Sequence, residues 1–76
     1  MNNARRKKLD TIRVKLEDLA QELETIKGEE QDYFDAIPEA LQSSPQSELS
    51  ANALSELETA SEYVSDALTA IEGAAQ

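Results

Sequence analysis

The chain has 76 residues, with 16 Asp or Glu against 7 Lys or Arg, a formal net charge of −9, and neither cysteine nor histidine. That length allows one small domain, with no disulfide or thiolate metal site to staple it and no imidazole or thiol for acid–base or nucleophilic work. An enzyme is therefore not expected, nor a resident metal, cofactor or small-molecule substrate.

The composition is rich in Ala, Leu, Glu, Gln and Ser, with two glycines and two prolines, which favours helix over strand. The start, MNNARRKK, is charged, and no apolar run long enough for a signal peptide or membrane span follows it. A cytoplasmic protein without a membrane partner is expected, and the absence of cysteine suits a reducing compartment.

Six of the seven basic residues lie in the first fifteen, with Asp10 the only acid among them; from residue 16 onward fifteen acids stand against Lys27 alone. Arg5, Arg6, Lys7 and Lys8 form a run that can neutralise phosphates. It has no interleaved aromatic to stack on bases, and the acidic body behind it repels a polyanion. The simpler reading is a solvated helix start, or a cluster that meets an acidic face of a partner.

From Leu9 apolar residues recur in alternating steps of three and four: Leu9, Ile12, Leu16, Leu19, Leu23 and Ile26, then Glu30 as a polar intruder, then Tyr33 and Ile37. A mean spacing of 3.5 residues is the mark of helices packed at a shallow angle. The spacing predicts a first helix over about residues 3–36. Val14, Ala20 and Phe34 fall off this seam.

Gly28 and Glu30 loosen the helix before a turn predicted over about 37–45, where Pro38 excludes Ile37 from helical geometry. Tyr33, Ile37 and Leu41 are read as a plug for the open end. Phe34, off the seam, is read as an exposed aromatic anchor of the kind that dominates interfaces, with Glu29, Asp32 and Asp35 around it as a protein-binding tip.

Ser44 or Ser47 can cap a second helix over about 46–73, with Pro45 suited to its first turn and Gly73 ending or fraying it. Ala53, Ala60, Ala67 and Ala74 stand seven apart, with Leu57, Val64 and Ile71 between them, and Leu54, Ser61 and Leu68 form a third row. Folding the chain back around residues 41 and 42 sets the large row of one helix against the alanines of the other. An all-α fold follows, an antiparallel two-helix coiled-coil hairpin over residues 1–76. Leu49, Leu54, Ser61 and Leu68 are left over, and they are read as a dimer interface completing a four-helix bundle.

The run GEEQDYFDAIPEALQSS also carries a resemblance. It is similar to a turn motif of the form EEQ-x-[YF]-[YF]-D-x-[MI]-PE-x-LQ-x-S in small acidic proteins of phage, prophage and bacterial genomes. Glu29, Glu30, Gln31, Asp35, Pro38, Glu39, Leu41, Gln42 and Ser44 stand at matching places. The resemblance implies a helical hairpin from a mobile element and no particular activity. The architecture is similar, at fold level only, to the Rop-type RNA-binding dimers.

Three functions are compatible with these features. The first is a non-enzymatic interaction protein that binds or inhibits a host protein through its acidic helix faces and turn. The second is a nucleic-acid-binding or recombination accessory using Arg5, Arg6, Lys7 and Lys8. The third is a self-associating structural module whose only partner is a second copy.

Overall fold

Asn2 opens the first helix: its backbone is extended and its side-chain Oδ1 accepts from the Arg5 N–H at 2.9 Å, satisfying one donor of the free first turn. In the computed structural model, which describes residues 1–76, α1 then runs Asn3–Asp35. Pro38 stands outside it in extended geometry, and one short 3-10 turn, Glu39–Leu41, carries the chain around. Ser44 opens the second long helix, α2, Pro45–Ala74, by accepting from the Ser47 N–H at 3.2 Å, with Pro45 in the first turn where it needs no donor. Gly73 does not end α2, which continues through Ala74. A glycine in negative-φ helical geometry weakens a helix without breaking it.

α1 and α2 pack side by side in a rod of 59 × 15 × 13 Å, an all-α antiparallel hairpin. Three side-chain contacts report the register. Arg6 Nε donates to the Ala75 carbonyl at 3.1 Å, Ser50 Oγ donates to Glu30 Oε1 at 2.7 Å, and Lys27 Nζ donates to Glu58 Oε2 at 2.8 Å. The paired numbers add to 81, 80 and 85, on either side of the 83 of the expected fold-back.

The seam differs from expectation by a rotation of both helices. On α1, Leu9, Leu16, Leu23, Glu30 and Ile37 are half-buried as one row. The second half-buried row is Arg13, Ala20, Lys27 and Phe34, whereas Ile12, Leu19, Ile26 and Tyr33 are 46, 51, 50 and 45% exposed. On α2 the row Ser50, Leu57, Val64 and Ile71 is accompanied by Ser47, Leu54, Ser61, Leu68 and Ala75. The alanines at 53, 60 and 67 lie half-covered at its edge.

The physical reason is that α1 carries three adjacent rows suited to packing, while its one neighbour covers only two of them. The hairpin takes the rows that hold Arg13 and Lys27, whose stems lie along the seam while their charged ends reach carboxylates at its rim. It also takes the small residues Ala20, Ser47 and Ser61. Ser47 and Ser50 are the only fully buried residues, and no hydrophobic side chain is fully covered. At the turn end Ser47 and Ser50 are small enough to be covered completely, and Ser50 bonds Glu30 there.

Candidate functional site

The rotation gives the hairpin two unlike broad sides. Residues seven apart share a helical face, and a residue three further on lies ~60° to one side of the first. In an antiparallel pair built from matching rows, the two neighbouring flank rows fall on the same side. The Ile12, Leu19, Ile26 and Tyr33 row of α1 and the Ala53, Ala60 and Ala67 row of α2 therefore form one apolar side, bordered by Leu49 and Tyr63, which are 72 and 69% exposed.

The opposite side is ionic. Lys27 Nζ bridges the helices to Glu58 Oε2 at 2.8 Å and reaches Glu24 of its own helix at 3.4 Å. Arg13 holds Asp10 and Glu17, each at 2.7 Å. Both cations are pushed above their ordinary pKa: Arg13 by hydrogen bonds to Asp10 and then Glu17, and Lys27 chiefly by its hydrogen bond to Glu58 against some desolvation. These are solvent-exposed pairs, so salt screens them.

At the end where the termini meet, a cleft is lined by Arg6, Leu9, Arg13, Ile71, Glu72 and Ala75. Arg6 caps the last turn of α2 through the Ala75 carbonyl and also bonds Asn3 Oδ1 at 3.2 Å. A cation belongs at a helix C-terminus, so the contact offsets what a basic first turn costs α1. Arg5, Lys7 and Lys8 are exposed and enter no ion pair. The run thus divides into one structural residue, Arg6, and three free cations.

At the turn end, Glu29 and Asp32 are exposed and unpaired, and Asp35 accepts from Gln31 Nε2 at 2.9 Å. Phe34 requires correction: it is half-buried in the seam, on the row that also holds Lys27. Leu41, read as part of a plug, is 52% exposed. Glu30 is placed against Ser50 rather than Ala53, so the polar intruder has a hydroxyl partner.

The dimer residues also require correction. Leu54, Ser61 and Leu68 are half-buried against α1 within the single chain, so they are not the wholly spare row expected, and Leu49 is 72% exposed. Ser61 Oγ is buried with no hydrogen-bond partner. The face missed by sequence reasoning is the Ile12, Leu19, Ile26 and Tyr33 row, which had been assigned to the seam. Its signal was present in Ala20 and Phe34, off-seam residues that marked a third packing row on α1.

No group of three or more His, Cys, Asp or Glu side chains is arranged to hold a metal ion, and no helix is long and apolar enough to cross a membrane. The class defined by the fold is thus an antiparallel helical hairpin with one apolar side, one ionic side and charge segregated along its length. No family model, curated protein or solved structure matches the chain.

Proposed function

We propose that this chain is a non-enzymatic interaction protein, of the phage or mobile-element type its turn motif resembles, that binds and inhibits a host protein in the cytoplasm. The observation that carries the reading is the uncompensated charge of the turn half. Residues 20–61 hold ten carboxylates and one cation, Lys27. Lys27 engages Glu24 and Glu58, and Ser50 engages Glu30, while Glu22, Glu29, Asp32, Glu39, Glu48 and Glu56 touch no cation. A rod edged with free carboxylates complements a basic groove. Leu41, exposed at the tip between them, supplies an apolar contact in place of Phe34.

The test is a pull-down of the tagged chain from bacterial lysate with and without nuclease, repeated with Glu29→Gln, Asp32→Asn and Asp35→Asn combined. A protein retained after nuclease and lost with the neutralised triple variant is the expected result. Partners that vanish with nuclease, and vanish equally when Arg5, Lys7 and Lys8 are changed to Gln, would transfer the function to the basic tip. Arg6 is left unchanged because it holds the end of α2.

A further inference from the structure

We infer that the apolar side of the hairpin is covered by a second copy of the chain, laid end over end. A folded monomer of 8.4 kDa exposes about 4,600 Å², whereas this chain exposes 5665 Å². The excess, about 1,000 Å² by that scaling, follows from the rod shape, 59 × 15 × 13 Å, and a rod face of that length is large enough for the about 800 Å² each partner buries in a standard interface. The excess accompanies an unused face: Ile12, Leu19, Ile26 and Tyr33 share one side with the α2 alanines, and the hairpin fully buries no hydrophobic residue of its own. The row is evenly spaced at seven residues, so it is self-complementary under a two-fold rotation about its midpoint.

Charge selects the orientation. The terminal half, residues 1–19 with 62–76, holds six basic and six acidic side chains; the turn half, residues 20–61, holds ten acidic and one basic. Stacking two hairpins with like ends together would put ten carboxylates beside ten, at a helix spacing of ~8–10 Å that salt only partly screens. Stacking them end over end puts each turn half beside a balanced terminal half. Leu19 then meets Ile26 of the partner subunit, and Lys15, on the flank of the same row, meets Glu29 of the partner subunit. The inference is carried by the apolar side and shares only Glu29 with the host-protein reading, so the charged Leu19 and Ile26 variant tests it without touching the tip.

The first measurement is the mass of the full chain by light scattering across a dilution series, with twice 8.4 kDa expected. Leu19→Glu combined with Ile26→Glu changes only half-exposed positions and should return the mass to one chain with the helical circular dichroism retained. Orientation is read without destabilising the face. The chain has no cysteine, so a spin label on Asn3→Cys reports one distance. End-over-end stacking separates the two labels by on the order of 60 Å, since Asn3 lies roughly 20 residues from the midpoint at 1.5 Å each. A mass of one chain at all concentrations, as follows if the face serves a different protein, overturns the inference. So does a charged variant that still doubles, or a label distance under about 25 Å.

Discussion

The two broad sides of this hairpin are made by the same two helices, yet they differ in what they need. The ionic side is complete within one chain: Lys27 ties α1 to α2, and Arg13 satisfies two carboxylates of its own helix. The apolar side is incomplete, with four large side chains in a line, alanines beside them, and Leu49 and Tyr63 exposed at its border. The difference teaches that a shallow two-helix contact uses about a third of each helix surface. With three packing rows on α1, the row of Ile12, Leu19, Ile26 and Tyr33 therefore stays outside the contact. The seam between the two sides holds the single chain together, and the row left over is the surface on which the proposed second copy would lie.

The largest test of that contrast removes bulk from the seam and from the open side in turn. Leu23→Ala, in the seam, should cost about 2 kcal/mol, the low end for leucine truncation because Leu23 is only half-buried. Ile26→Ala, on the open side, should cost under about 0.5 kcal/mol when the chain is dilute. Urea melts at two protein concentrations separate them. The Leu23 effect should not change with concentration, whereas the Ile26 effect should grow as the second copy binds.

Next comes the entry to α2. Ser44→Ala removes the acceptor for the Ser47 N–H and should destabilise by about 1 kcal/mol. An unchanged urea midpoint would mean that Pro45 and the turn suffice to start the helix. Ser61 has the opposite sign. Its buried hydroxyl has no partner, and an unsatisfied hydroxyl is unfavourable by about 1 kcal/mol. Ser61→Ala should therefore raise the thermal midpoint, and a fall would show that water reaches the hydroxyl.

The smallest effect belongs to the ionic side and is read by pH. The Lys27 pKa is higher in the folded chain than its ordinary 10.5. The stabilisation it brings is therefore full below 10.5 and lost as pH rises through the higher folded value. A shallow loss of stability in that alkaline window at low salt, absent in Lys27→Met, is the expected result. The same slope in Lys27→Met would assign it to other groups.

Much of the fold was legible because its causes are local. The heptad from Leu9 to Ile37, the Ala and Leu rows of the second half, and Pro38 and Pro45 at the turn dictate two helices and a reversal without reference to any distant contact. The candidate surfaces were less legible. Phe34 and Tyr33 are sequence neighbours with similar burial tendencies, and a rotation of α1 by ~60° exchanges which of them is covered. Leu54, Ser61 and Leu68 were separated from Leu57, Val64 and Ile71 by the same small angle. Periodicity gives the width of an apolar stripe, not where within it a partner lands.

By itself, then, the sequence determined that this chain forms two amphipathic helices joined by a turn at Pro38 to Pro45, and that its cations gather at one end and most of its carboxylates toward the other. Those properties depend on residue type and spacing along the chain, which folding does not change. Only the tertiary structure decided which rows meet, that Arg6 closes α2, that Glu30 finds Ser50, and that Ile12, Leu19, Ile26 and Tyr33 remain uncovered. Those outcomes depend on the rotation and register of one helix against the other. Several pairings of similar rows compete there, and the contacts of Arg6, Lys27 and Glu30 at the rim of the seam accompany the one adopted.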